Sequence, residues 1–486
     1  CSVFEILMSS FFQGTTRKTE NMWADIVYVA VLLSCVAFGL LYRKIDDPVS
    51  RQWTSTIIGL IVATIVSGGH VLHLLISALI NAIIITRLSP KQCHQVSFFF
   101  SFFYLLVIFR LGDLVGMPTP PTHTNLILMI LTLKLCGLAF EVNAAASAPD
   151  GDPEAANSDA MKNVGFLDVF HYGFGYMGLL TGPYYRYRTY WDHLHRPFAK
   201  AVDPMPLTIF KLKQIGCFVV LFLIMNTLYP SKYVVTEEFA ERSFLYRHLY
   251  MYPTFAVFRL RMYIGMIFAE CACQMAGLGA YPVKSNPLKG LGPKDYKTIE
   301  TMSVTPVEKL KDEEYNFDTV YNMNVGKLES CASTRTAMKA WNGCAQYWFG
   351  MYVYKKCPSK ALRTHATLLL SALWHGYAPG YYFCICQIPI FLMVEDICVK
   401  FHDRSKENSI AKNGWWLLLW YLKTTCMAYL GVPFLLRGLE EIIHYYKVVY
   451  LSGHFVAICL YIMALSLKPY LLRKTTETME ERKKGE

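Results

Sequence analysis

Long apolar runs alternate with short polar or basic connectors along nearly the whole chain. A membrane-spanning helix needs about 20 largely apolar residues at about 1.5 Å of rise each. Runs of that kind cover roughly residues 24–42, 54–69, 71–87, 97–116 and 124–142, then 166–184, 207–229 and 251–282. After a polar stretch come 342–354, 363–386, 387–401, 414–436 and 448–468. Runs 54–69, 166–184 and 342–354 are too short to cross alone and read as re-entrant, tilted or interfacial. The pattern predicts an all-α fold, a polytopic transmembrane helical bundle of about eleven spans with re-entrant or interfacial helices around an internal chamber. No internal repeat is apparent, which argues against inverted-repeat transporter architectures.

Two stretches are too polar for a bilayer. Residues 143–163 read as a disordered Pro/Ala/Asp loop. Residues 283–330 are longer; the first half is expected to be mobile and the second to pack near the segment carrying Asn342. Charge sets the orientation through the positive-inside rule. Arg43, Lys44 and Arg51 follow the first run, and Lys468, Arg473 and Lys474 follow the last, so both of those ends are assigned to the cytosol. An odd number of spans follows. Met22 directly precedes the first run. Residues 1–21 therefore read as a non-native or disordered extension, 22–470 as one membrane domain and 471–486 as a basic cytosolic tail. The chain ends KKGE, with Lys483 and Lys484 fourth and third from the end. That ending resembles the dilysine retrieval signal of endoplasmic reticulum membrane proteins. A solvated basic tail is the competing reading.

Composition agrees with the membrane assignment. The 486 residues are 54% hydrophobic, 15% aromatic and only 17% charged, where soluble proteins carry about 25% charged residues. The mean hydropathy is +0.28. The net charge of +11 lies mainly in connectors, where Lys and Arg meet anionic headgroups, so nucleic acid is not an expected partner. The fifteen cysteines are scattered, many within apolar runs, and no C-x-x-C occurs. They read as small buried hydrophobes, with no disulfide framework, metal site or bound cofactor expected.

One histidine changes the picture. His375 lies in an apolar segment, and Gly376, Pro379 and Gly380 follow it. An ionisable residue in such a segment is a functional hypothesis. The glycines and proline predict a helix break, which at membrane depth is tolerated only inside protein or beside a wet cavity. A neutral imidazole there suits a general base; a structural histidine is the plainer alternative. Asn342 opens the aromatic run WNGCAQYWFGMYVYK, as a helix cap or as an amide that donates to an oxyanion. A hairpin through KKCPSK would bring it towards His375. In LLTGPYYRYRTYWDHL, Arg186 and Arg188 form either an interfacial belt or a platform for a phosphate-bearing ligand. Arg259 and Arg261 lie deeper, 11 and 9 residues from Glu270, too far along a helix to pair with it directly.

At Asn342 and His375 the chain resembles the membrane-bound O-acyltransferases, multi-span enzymes with one intramembrane histidine and an upstream asparagine. The resemblance rests on LKLCGLAFEV, LTGPYYRYRTYWDHL, FRLRMYIGMIFAEC, GLGAYPV, EEYNFDTVYN, WNGCAQYWFGMYVYK and SALWHGYAPGYY, and runs from Met22 to about residue 470. Within the family it points to the lysophosphatidylinositol acyltransferases. It implies acyl-CoA as co-substrate and a lysophospholipid acceptor, esterified at the sn-2 hydroxyl with a polyunsaturated, arachidonoyl-like chain. His375 maps to the catalytic histidine and Asn342 to the asparagine. Trp341, Trp374, Arg186, Arg188, Arg259 and Arg261 become substrate-binding candidates. Two alternatives stay open: another lysophospholipid, a sterol or a protein as acceptor, or a transporter with a histidine proton relay. The sequence leaves the oligomeric state open.

Overall fold

The computed structural model describes residues 18–112, 116–148, 161, 163–404, 409–462 and 466. Residues 1–17, most of the 143–163 loop and the 471–486 tail with its KKGE ending lie outside the described residues. The chain is helical almost throughout, as its apolar patterning predicts. Its principal helices are α1 (Lys18–Tyr42), α2 (Pro48–Ser67), α3 (Val71–Arg87), α4 (Pro90–Phe103), α5 (Thr122–Ser147), α6 (Phe166–Phe174), α7 (Tyr187–His195) and α8 (Met205–Leu228). They continue as α9 (Phe244–Met275), α10 (Gly343–Phe349), α11 (Arg363–His375), α12 (Pro379–Ile385), α13 (Ile388–Arg404), α14 (Ile410–Leu436) and α15 (Leu439–Val448). Asp47 caps α2, accepting the Ser50 N–H at 2.7 Å, and Pro48 fills the first helical position. Ser409 caps α14 in the same way, through the Lys412 N–H.

Five helical stretches among the described residues are long and apolar enough to cross a membrane, or six if one pair bent by 61° counts as a span. The count of eleven expected from the apolar runs is not reached by that measure. Runs 54–69 and 71–87 fall within one helical stretch, Pro48–Arg87, the apolar part of the first run is only the 17 residues Ile26–Tyr42, and run 363–386 is cut into α11 and α12 at Gly376. Run 54–69, expected to be too short to cross alone, lies inside the 20-residue α2 because the helix starts six residues earlier at its Asp47 cap.

The chain divides into two units. The first holds residues up to 224, 259–325 and 340–376. At its centre stands α5, buried over nearly its whole length against α3, α4 and α6. The polar stretch after α9 belongs to this unit, and it is built rather than loose. Tyr281–Pro282 pairs antiparallel with Tyr315–Asn316, and Pro287–Leu288 with Gly292–Pro293. Ser285, Pro287, Gly292 and Pro293 are buried. The expectation of a mobile first half is thus replaced by a small folded layer, held by backbone ladders and by the Phe198–Tyr281–Ile299–Leu310 cluster.

The second unit holds residues 225–258, 326–339 and 377 onward. Its core packs Tyr250, Met251 and Phe255 against Tyr429, Leu430 and Tyr445. Helices α12 and α14 approach closely at Gly380, whose N–H donates to Arg437 O at 3.2 Å. Glu395 accepts the backbone N–H of Thr334 and Arg335, so a buried carboxylate caps the helix that begins there.

Candidate active site

The two residues singled out in the sequence sit at two helix ends. His375 is the last helical residue of α11. Gly376 stops the helix with a φ of 142°, a conformation glycine alone adopts readily, and its N–H reaches Ala372 O at 3.1 Å. Ala378 is extended and Pro379 opens α12. The break expected from the glycines and proline therefore falls directly after the half-buried imidazole.

Asn342 occupies the position before α10, but it does not act as a cap. Its φ of 44° and ψ of 50° are left-handed, and its side chain makes no capping hydrogen bond. Caps are normally extended and accept an N–H from the first turn. Asn322 does that work instead. The Gly343 N–H donates to Asn322 O at 2.8 Å, and the Cys344 N–H to Asn322 Oδ1 at 3.2 Å. Those two helix donors are satisfied by Asn322, and the Asn342 amide is not spent on them.

Behind Asn322 lies a buried ion pair. Glu270 Oε1 accepts the N–H groups of Asn322 and Met323, each at 2.8 Å. Its other oxygen takes the Lys211 ammonium, and both side chains are removed from solvent. Helical spacing had denied Glu270 to Arg259 and Arg261; Lys211 on α8 is its partner. The second half of the polar stretch thus packs on the start of α10, as expected. Gly290, with φ of 68°, passes the Tyr347 ring so closely that a Cβ there would lie 2.8 Å from it.

Helix α10 runs on through a π turn, Gly350–Tyr354, reverses, and returns as α11. Arg363 lies over the Tyr354 ring at 4.5 Å near the reversal, and the Phe349 and Trp374 rings meet at 5.8 Å higher up. The arms are therefore antiparallel, as the predicted hairpin requires. His375 follows Trp374, while Asn342 precedes Phe349 by seven residues, about 10 Å of helical rise. Both polar groups stand at the open end of the hairpin. Helix α5 holds each arm by an indole. Trp374 Nε1 donates to Met129 O at 3.0 Å and Trp348 Nε1 to Leu133 O at 2.9 Å.

The remaining candidates are distributed around these helices. Trp341 is half-buried, its ring 6.2 Å from Tyr263 on α9. Arg259 lies one helical turn before Tyr263, on the same face, and Arg259 and Arg261 are both half-buried. Arg186 meets Glu141 of α5 at 3.2 Å. Glu141 also accepts the N–H groups of Tyr187 and Arg188, so one carboxylate closes the start of α7. Arg188 is buried between the Trp191 and Tyr296 rings and donates to Asp192 at 3.0 Å. Burial opposes its charge, and Asp192 outweighs that and holds its pKa above the ordinary guanidinium value. Tyr184, Tyr185, Tyr187 and Tyr190 around them are buried as well. Among the described residues no group of His, Cys, Asp or Glu is arranged to hold a metal ion, and the described cysteines are free thiols. Sequence reasoning missed Asn322 and Lys211, which carry no local signal because their partners are distant in the chain.

Comparisons with known proteins identify the family. The profile of the MBOAT, membrane-bound O-acyltransferase family, matches residues 118–431. The chain is 39% identical to the membrane-bound acylglycerophosphatidylinositol O-acyltransferase frj of Drosophila melanogaster, over 88% of this chain and 90% of that one. It is 33% identical to human membrane-bound acylglycerophosphatidylinositol O-acyltransferase MBOAT7, over 90% and 93%. The corresponding Caenorhabditis elegans protein, mboa-7, is 27% identical over 93% and 97%. The match spans the helices that carry Asn342 and His375, and the chain belongs to the membrane-bound O-acyltransferase family, as a multi-pass membrane acyltransferase.

Proposed function

We propose that this enzyme transfers an acyl chain from acyl-CoA to the sn-2 hydroxyl of lysophosphatidylinositol, with preference for a polyunsaturated, arachidonoyl-like chain. The acceptor is suggested by the relatives' names, which specify acylglycerophosphatidylinositol. The observation that supports the residue roles best is the release of the Asn342 amide from capping by Asn322. An uncommitted amide at the same end of the hairpin as the histidine suits a reacting carbonyl.

In this reading His375 removes the proton from the acceptor hydroxyl as its oxygen attacks the thioester carbonyl. The Asn342 amide donates to the oxygen that gains charge, or orients the carbonyl. The new C–O bond forms, the C–S bond breaks, and the proton passes to the departing CoA thiolate. No acyl-enzyme is required, because a thioester is already activated and a positioned alcohol attacks it directly. Exclusion of water limits thioester hydrolysis. Acyl-CoA enters beside the exposed Lys355, Lys356 and Lys360 and the neighbouring Arg363 on the cytosolic side. The lysolipid enters sideways from the leaflet, its phosphate met by Arg259 and Arg261; Arg186 and Arg188 support the wall of the site. The full topology has about eleven crossings with a cytosolic C-terminus, in the endoplasmic reticulum.

The test is a panel of lysophospholipids offered to purified enzyme with arachidonoyl-CoA, read as free CoA thiol. Lysophosphatidylinositol is expected to be the best acceptor, and equal use of lysophosphatidylcholine or a sterol overturns the headgroup assignment. His375→Ala is expected to lower turnover by about 10²–10⁴, and Asn342→Ala by about 10²–10³. Near-normal transfer by His375→Ala removes the mechanism.

A further inference from the structure

We propose that Arg110 is the positioning residue of the His375 imidazole. The inference rests on the reading of His375 as the base. Arg110 directly follows a π segment, Tyr104–Phe109, that continues α4. Its guanidinium reaches the chain 263 residues later. Nη1 donates to Leu373 O at 2.9 Å and Nη2 to Trp374 O at 2.6 Å. Its Nε donates to Asn125 Oδ1 at 3.0 Å.

These acceptors are the carbonyls that α11 cannot satisfy by itself. The last carbonyls of a helix lack partners four residues on, and here Gly376 ends the helix one residue after His375. An arginine fork supplies two parallel donors of fixed geometry, and a cation there also suits the negative end of the helix dipole. A charge among apolar helices is costly, so a functional return is the first expectation for it. Helix α5 completes the grip. Asn125, which holds Nε, and Met129, which accepts the Trp374 indole, lie one turn apart on the same face. The two peptide units before His375 are therefore fixed by guanidinium on their carbonyls and by α5 on the adjoining side chain.

The π segment explains how Arg110 comes to face α11. One extra residue in a helical turn advances every later side chain by about 100°. Among the described residues the π segments are Tyr104–Phe109 and Gly350–Tyr354, and α11 packs against both. The first turns Arg110 towards the segment that ends in His375. Arg110 donates to backbone and acts through His375.

Purified full-length enzyme, with lysophosphatidylinositol and arachidonoyl-CoA and free thiol as the readout, decides it. Arg110→Gln is expected to lower kcat by about 10²-fold, the cost of a misplacement near 1 Å at a catalytic group, with KM for both substrates within about twofold. Arg110→Ala is expected to regain part of its kcat when millimolar guanidinium is added. Arg110→Lys keeps the charge without the fork and guards against a variant that fails to fold; its kcat is expected to fall about tenfold at unchanged KM. Parent kcat in Arg110→Gln or Arg110→Lys overturns the proposal, as does a loss carried by KM or a loss that guanidinium does not relieve. His375→Ala run beside them separates the two readings. An active His375→Ala removes the base assignment, whereas an inactive His375→Ala with a full-speed Arg110→Gln removes the clamp alone.

Discussion

Helix α5 and the helical pair α2–α3 are comparably apolar, yet they live in different surroundings. In its most apolar window α5 is 89% buried, whereas the α2–α3 stretch is 28% buried. The buried helix carries the polar work. It receives the Trp348 and Trp374 indoles on its carbonyls, and presents Glu141 to the start of α7 and Asn125 to Arg110. The outer pair shows large side chains such as Ile57, Ile61 and Ile65 on its exposed face. Hydropathy marks both as membrane helices and does not tell a wall from a centre. What distinguishes them is where polar atoms find partners, because an unpaired polar group inside an apolar medium costs several kcal/mol.

Three substitutions sharpen that contrast. The largest effect is expected at Glu141, which is buried and joined to Arg186 and to two backbone N–H groups. Glu141→Ala leaves that cation and those donors uncompensated and is expected to cost about 3–5 kcal/mol, read as a collapse of the detergent-solubilised melting temperature. A melting temperature unchanged from the parent would contradict the central role of α5. Trp374→Phe is intermediate. It keeps the ring contact with Phe349 and deletes the bond to Met129 O, for an expected loss of about 1 kcal/mol in stability. A several-fold fall in kcat is expected with it, because the residue adjoins His375. Ile61→Val on the exposed face of α2 is the smallest, within about 0.5 kcal/mol. A larger shift there would mean that this face is covered by protein rather than lipid.

Much of the local architecture was legible in the chain. The apolar runs located α2 to α5, α8, α13 and α14, since length and polarity alone decide which segments prefer lipid. Gly376, Pro379 and Gly380 predicted the stop after His375, because glycine and proline act on the backbone whatever surrounds them. KKCPSK predicted the hairpin. The left-handed Asn342 was not legible, because its release depends on Asn322, and Asn322 depends on Glu270 and Lys211. Arg186 and Arg188 read as either a headgroup belt or a phosphate platform, and their carboxylate partners Glu141 and Asp192 were not legible. The first half of the polar 283–330 stretch looked loose because the ladder at its edge pairs residues 35 positions apart.

The sequence by itself determined a helical membrane acyltransferase, the apolar segments that form its long helices and the helix break at His375. These follow from short-range rules of hydropathy, backbone preference and motif. The tertiary structure decided which apolar helix is central, which carboxylate holds which cation, what frees the Asn342 amide and what grips the end of α11. Each of those is a partnership between groups far apart in the chain. Nothing local specifies such a partner, since any buried donor demands an acceptor but only the packed fold determines which one it meets.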